Sequence, residues 1–427
     1  MTRSIQPAMG LAGRLRLPAD KSVSHRAALL AALAEGPSEI VGFSDAADPQ
    51  ATLGALRALG VRVEAHEDDL TIHGRGLRGF TAPTVPIDCG NSGTTMRLLA
   101  GLLAGQPFAS VLTGDASLSQ RPMERIAEPL RRMGARVDLA DGHAPVRITG
   151  GALRGIEYVL PVASAQVKSC ILLAGLLGEG CTTVIESVPS RDHTERMLGL
   201  DTMELGGQRH ITVEGGRTVR VQPWIVPRDF SAAAFFLVAG AVVPHSHVEM
   251  RSVGLNPSRS ALLDLLRAMG AHITVTNERT RGHEPLADLT VQNEGGRLHG
   301  LTVGGDLIPN LIDEIPALAV AAAYAEGRTE IRDAEELRHK ETDRIAATAA
   351  FLRAMGAEVT ERADGLVIDG KPTLHGATVE SEGDHRIAMA AAVAGLAATG
   401  ETTVRDADCV TVSFPGFWDA IATLAGT

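Results

Sequence analysis

Aromatic side chains are scarce: two tryptophans, two tyrosines and nine phenylalanines make 3 % of 427 residues. Stacking on nucleic-acid bases is poorly supplied, and any core must be aliphatic. Cysteine is equally sparse. Cys89, Cys170, Cys181 and Cys409 form no CxxC pair and show no metal-ligand spacing, which excludes a disulfide scaffold and points to a reducing compartment. Cys170 lies in an apolar run and reads as a small core residue. Long hydrophobic runs are missing too. AAAFFLVAGAVV from Ala232 is about a dozen residues, short of the roughly 20 that span a bilayer. The first residues, MTRSIQPAMGLAG, lack the apolar stretch of a signal peptide. Excess positive charge is absent, since the formal net charge is −11. That argues against nucleic-acid and anionic-membrane partners and leaves room for a small anion in a local basic pocket. The expectation is a cytoplasmic protein without membrane contact.

What the chain has is repetition. One unit is an amphipathic helix, then Met-Gly-Ala or a variant, then two strands. It reads TLGALRALGVRVEAHEDDLTIHG from Thr52 and AEPLRRMGARVDLADGHAPVRITG from Ala127. It returns as ALLDLLRAMGAHITV from Ala261 and ATAAFLRAMGAEVTERADGLVIDG from Ala347. A weaker copy starts at Glu195 and a truncated one at Gly416. Gly60, Gly134, Gly270 and Gly356 fall where a left-handed cap ends a helix. Before each copy comes a polar start and a helix of small apolar residues. These helices begin near Ser22, Asn91, Ala163, Asp229, Asp313 and Gly383. Being apolar nearly all round, they should be buried.

Together the units give about 65 to 85 residues per repeat, in the order strand, helix, strand, helix, strand, strand. The fold class is therefore α/β: two similar domains, each of three βαβαββ repeats around buried parallel helices, with a ligand cleft between them. The Pro-rich stretch VQPWIVPRD from Val221 reads as an extended linker. The sixth repeat stops at TLAGT without its last strands, and residues 1–17 should supply them. The domains are then 18–226, and 1–17 plus 227–427. The chain would cross between them near Pro18 and Pro227, making a hinge.

The polar residues gather at the starts of the apolar helices. A helix N-terminus offers N–H groups and partial positive charge to anions. Lys21, Arg26, Arg97, Arg121, Lys168, Arg191, Lys340, Arg344 and Arg386 lie at or near these starts. A lone charge amid apolar sequence is costly unless paired. Arg131 and Arg132, on an amphipathic face, read instead as solvated. Asp313 opens the fifth apolar helix. In HKETDRI, Lys340, Glu341 and Arg344 present two cations and an acid toward one side of a helix start. A carboxylate held among cations suits proton transfer.

Six motifs in register then resemble one family, the 5-enolpyruvylshikimate-3-phosphate synthases. They are LPADKSVSHRA from Leu17, GNSGTTMR from Gly90, GDASLSQRPM from Gly114, SAQVKS from Ser164, KETDR from Lys340 and DHRIAM from Asp384. The resemblance covers essentially the whole chain. It implies transfer of the enolpyruvyl group of phosphoenolpyruvate to the 5-hydroxyl of shikimate 3-phosphate, on the route to chorismate and the aromatic amino acids. It implies no metal or organic cofactor, and small anionic substrates as partners; a monomer is expected.

By the same resemblance, Lys21, Ser22, Arg26, Ser164, Gln166, Arg191, Asp313 and Lys340 contact shikimate 3-phosphate. Lys21, Gly93, Arg121, Gln166, Arg344 and Arg386 serve phosphoenolpyruvate. Asp313, Glu341, Lys21 and His385 form the catalytic set. Asp313 takes the hydroxyl proton, Glu341 exchanges a proton with the methylene carbon, and His385 orients the phosphate or Glu341. Gly93 implies sensitivity to glyphosate. Ala165, Glu336 and Val412 depart from the family pattern, so no polar contact is carried onto them. The related transferase acting on UDP-N-acetylglucosamine needs a cysteine in the loop that here reads GDASLSQRPM, and KSVSHR departs from its start. A catalytically silent anion-binding scaffold would not need the full cation set and both carboxylates.

Overall fold

In a computed structural model that describes residues 1–426, the chain forms two compact units. The first comprises Ala19–Pro227 with Thr280–Glu284. The second comprises Met1–Pro18, Arg228–Arg279 and the chain from Pro285 onward. Thr427, the last residue of the TLAGT end, lies outside the described residues.

The repeat order is observed. Among the described residues, five four-stranded sheets and one three-stranded sheet share one plan. In the second repeat, Ile87–Asp88 pairs parallel with Ala109–Thr113, and His143–Thr149 runs antiparallel to the latter and carries Arg136–Ala140. The helix Gly93–Ala104 connects the first two strands, and Glu124–Met133 leads into the last two. Gly134 ends that second helix at φ 111°, and Gly270 sits at 101° in the fourth repeat; Gly60 and Gly356 also lie in left-handed backbone.

The six apolar helices are Lys21–Leu33, Gly93–Ala104, Ala165–Leu176, Phe230–Val242, Ile315–Tyr324 and His385–Leu396. Three form the centre of each unit, and nearly every residue in them is buried. Aliphatic packing lets them approach closely. A methyl group on Gly101 would overlap the Cys170 carbonyl on the neighbouring helix, so this contact admits only glycine. Cys170 is a core residue as expected; burial pushes its thiol up to about 12. No single helix among the described residues is long and apolar enough to cross a membrane.

Three expectations are corrected. Residues 1–17 do supply strands, but to two sheets. Arg3–Ile5 pairs with Thr402–Arg405 and completes the sixth repeat. Ala12–Leu15 instead pairs parallel with Ser246–Gly254 and opens the fourth. The supposed linker contains a strand of its own: Trp224–Ile225 pairs parallel with Ile40–Val41 and opens the first repeat. Trp224 is buried there, because an indole is too large an apolar surface to leave in a solvated linker. The fifth apolar helix starts at Ile315, two residues later than expected, after the short helix Ile308–Leu311. Pro316 is tolerated in its first turn, where N–H groups have no intrahelical partner.

Candidate active site

In the first unit the three apolar helices are each capped by a side chain one residue before they begin. Asp20 accepts from Val23 N at 2.9 Å, Ser92 from Thr95 N at 3.1 Å, and Ser164 from Val167 N at 3.4 Å. Each cap satisfies an N–H that the helix leaves open. Around these ends lie Lys21, Ser22, Arg26, Gly93, Arg121, Ser164 and Gln166, all expected from the sequence. Lys21 Nζ bonds Asp48 at 2.9 Å. Arg26 is buried, donating from Nε to Thr194 Oγ1 and from Nη2 to Ser169 Oγ, both at 2.8 Å. Its Nη1 reaches the Ser22 carbonyl at 3.0 Å. Burial lowers its guanidinium to about 10, and the charges of Glu195 and Asp20 oppose the fall.

Arg97 donates to Gln166 Oε1, while Gln166 Nε2 donates to Thr94 Oγ1 at 2.9 Å. Arg121 Nη2 bonds Asn91 Oδ1 at 2.7 Å. Gly93 lies between these two arginines: a Cβ there would stand 3.0 Å from Arg97 Nη1 and 3.4 Å from Arg121 Nη1. Arg191 is half-buried in the loop between the strand Cys181–Glu186 and the helix His193–Leu198.

The second unit holds Asp313, Lys340, Glu341, Arg344, His385 and Arg386. Arg344 organises them. Its side chain is 1 % exposed and meets three carboxylates. Nε donates to Asp384 Oδ2 at 2.7 Å, Nη2 to Glu341 Oε2 at 2.6 Å and Nη1 to Asp313 Oδ1 at 3.2 Å. Burial works against its charge, but Asp384, Glu341 and Asp313 outweigh it and raise its pKa. Asp384 has a second task, capping the sixth apolar helix through Arg386 N at 2.8 Å. Arg386 Nη1 bonds the Asp313 carbonyl at 2.9 Å, and its Nη2 lies 3.7 Å from Asp313 Oδ2. His385 is buried, with Nδ1 4.0 Å from Asp384 Oδ1.

The KETDR segment stands at a helix start, with only Arg344 inside the helix. Lys340 and Glu341 precede the helix Arg344–Ala354, and Asp343 caps it by accepting from Ala346 N at 3.0 Å. The ion pair between Glu341 and Arg344 therefore spans the cap. Desolvation pushes the Lys340 ammonium below its ordinary value; Asp313 opposes this and Arg344 adds to it. Glu336 also acts on this ammonium, although the sequence reading gave it no polar role. Arg131 and Arg132 are exposed, as expected for a solvated face.

Sequence reasoning did not single out Asp48, Ser169, Thr194 or Asn91 as partners of the cations. Asp384 stood in a quoted motif, but its clamp on Arg344 was not foreseen. Only its position just ahead of an apolar helix signals a cap.

The comparisons with known proteins agree along the whole chain. A family model described as EPSP synthase (3-phosphoshikimate 1-carboxyvinyltransferase) matches residues 5–421. The chain is 62 % identical to the 3-phosphoshikimate 1-carboxyvinyltransferase of Salinibacter ruber over 430 aligned residues, covering all of both chains. It is 51 % identical to that of Herpetosiphon aurantiacus, covering 99 % of each. A solved EPSP synthase from Acinetobacter baumannii superimposes with a TM-score of 0.87 at 46 % identity, covering 99 % of this chain and 98 % of that one. Fold, helix-start chemistry and these relatives agree, and the chain belongs to the EPSP synthase family.

Proposed function

We propose that this protein is a cytoplasmic, monomeric EPSP synthase. It transfers the enolpyruvyl group of phosphoenolpyruvate to the 5-hydroxyl of shikimate 3-phosphate and releases phosphate. The observation that carries the mechanism is the joint hold of Arg344 on Asp313 and Glu341, at 3.2 and 2.6 Å. One buried cation holds both carboxyl groups and fixes their separation.

The reaction is an addition followed by an elimination. Asp313 accepts the proton of the 5-hydroxyl as that oxygen bonds the enol carbon. Glu341, entering this step protonated, delivers its proton to the methylene carbon and is left as a carboxylate, giving a tetrahedral intermediate with a methyl group. A proton then leaves that methyl for Glu341, the carbon–oxygen bond to phosphate breaks, and the enol ether forms. Lys21, Arg121 and Arg386 stabilise charge developing on the phosphate and carboxylate. Lys21, Ser22, Arg26, Ser164, Gln166, Arg191, Asp313 and Lys340 bind the phosphorylated cyclitol acid. Gly93 gives room beside Arg97 and Arg121, Gln166 and Arg344 complete the phosphoenolpyruvate contacts, and His385 orients the phosphate or Glu341. No step asks for a metal or organic cofactor.

The test of the overall activity is phosphate release from phosphoenolpyruvate, which should require shikimate 3-phosphate. Release that ignored the second substrate would defeat the assignment. The roles of the carboxylates separate in deuterium oxide. Native enzyme with both substrates should wash label into the methylene carbon, and Glu341→Gln should do so about 10²–10⁴-fold more slowly. Asp313→Asn should slow formation of the tetrahedral species by a similar factor while leaving substrate binding closer to native. Near-native exchange in Glu341→Gln would move that role to another group.

A further inference from the structure

Lys168 is a charge that the reaction leaves unused. It lies on the helix Ala165–Leu176, one turn beyond the cap Ser164, and its side chain is 0 % exposed. Its ammonium sits 3.0 and 3.1 Å from the two oxygens of Glu186, 2.6 Å from Glu195 Oε1 and 3.3 Å from the Ser190 carbonyl. Both carboxylates are buried, at 1 % and 3 % exposure. Taking three charges out of water is expensive, and aliphatic residues of similar size would fill this core at less cost.

What the triad touches suggests why it is there. Glu186 Oε2 also accepts from Ser190 N at 3.2 Å and Ser190 Oγ at 2.8 Å. Ser190 is thus held through its N–H, its hydroxyl and its carbonyl, and the next residue is Arg191. On the other side, Glu195 bears electrostatically on Arg26. Its neighbour Thr194 accepts from Arg26 Nε and shares a 2.7 Å contact with Ser169 Oγ. Ser169 follows Lys168 directly and accepts from Arg26 Nη2. The ammonium therefore lies where the segment carrying Arg191 and the pocket holding Arg26 are both anchored.

We infer that Lys168 is a positioning residue for the phosphorylated substrate: its buried ion triad fixes the Arg191 loop and the seat of Arg26. The inference rests on the reading of Arg26 and Arg191 as contacts to shikimate 3-phosphate. Lys168 itself touches no substrate. It acts by holding two cations in the geometry that the anion needs, where a displacement of about 1 Å can cost on the order of 100-fold.

The experiment is calorimetric titration of shikimate 3-phosphate alone, with kcat and both KM values measured alongside. Lys168→Met takes the ammonium from two buried carboxylates, leaving Glu186 only Arg209 at 3.6 Å, and risks unfolding. Lys168→Met/Glu186→Gln removes one charge of each sign and serves as the second variant. In the folded double variant, affinity for shikimate 3-phosphate should fall about 10- to 100-fold, and KM for phosphoenolpyruvate should change less than about threefold. Arg191→Ala in the native background should weaken the same binding. Added to the double variant it should weaken it much less, because the two act through one contact.

Native affinity in the folded double variant would overturn the inference and leave the triad a stability element. Full additivity with Arg191→Ala would overturn it too, as would equal losses for both substrates. If Arg191→Ala and Arg26→Ala leave the affinity unchanged in the native background, the reading of those two as contacts fails, and the inference falls with it.

Discussion

Replacing Arg344 by glutamine removes one cation from among three carboxylates, and two consequences can be separated. The first is stability. Arg344 and Asp384 are 1 % and 0 % exposed, and removing one member of such a buried pair typically costs about 3–5 kcal/mol. Asp384 keeps its bond from Arg386 N, which places the expectation at the lower end, about 3 kcal/mol. The second consequence is turnover. Asp313 and Glu341 are more exposed, at 17 % and 19 %, so water compensates their lost charge partner, but their positions are no longer fixed. Turnover should fall about 100-fold or more. Denaturant titration reads the first effect and phosphate release reads the second. The double variant Arg344→Gln/Asp384→Asn separates them. It removes the stranded buried charge, so most of the stability should return, whereas turnover should stay low. Recovery of turnover together with stability would refute the reasoning, because the guanidinium would then matter only as a counter-ion to Asp384.

Gly93→Ala brings a methyl carbon to 3.0 Å from Arg97 Nη1 and 3.4 Å from Arg121 Nη1. Crowding of this kind costs about 1–3 kcal/mol, so inhibition by glyphosate, longer than phosphoenolpyruvate, should weaken about tenfold or more relative to the substrate's KM. Parallel loss of both would reject the steric account. His25 is buried beside Thr52, and burial, with the charges of Lys21 and Arg26, holds its pKa well below the usual value. The unfolded chain then takes up a proton that the folded one refuses, so stability should fall as pH drops below about 6.5. His25→Gln should flatten that loss in urea titrations at pH 5 and 7, and an unchanged slope would clear His25. Lys340 has a lowered pKa, so its charge is lost as pH rises, before that of an ordinary lysine near 10.4. The alkaline fall in affinity for shikimate 3-phosphate should move to higher pH in Lys340→Arg. The same fall in both proteins would point to another group.

The buried helices were legible because their signal is local. A polar cap followed by small apolar residues specifies a helix that is covered on all sides, and Asp229 before Phe230 or Asp384 before His385 carries that signal in adjacent letters. The cations at the helix starts were legible for the same reason: a charge placed next to apolar sequence needs an explanation. Their partners were not. Thr194 is 168 residues from the Arg26 that it holds, and no periodicity links them. Ala12–Leu15 and Trp224–Ile225 were obscured because a strand of two to four residues is too short to show alternation. Their places depend on a partner strand far along the chain.

That pairing has a consequence for the order in which the protein is made. Ser4 bonds Glu401, 397 residues away, and Arg3–Ile5 finds its partner strand only in Thr402–Arg405. The first of the described strands thus waits for the last of them. Ala12–Leu15, by contrast, can pair once Ser246–Gly254 has emerged, and Trp224–Ile225 closes on Ile40–Val41 as soon as it appears. Domains generally fold as they emerge, and here the sheets of the first unit can assemble while Arg3–Ile5 is still an unpaired strand. Such an edge invites wrong partners. Arg3–Ile5 is three residues long and has one buried side chain, too little apolar surface to recruit a competitor during the wait.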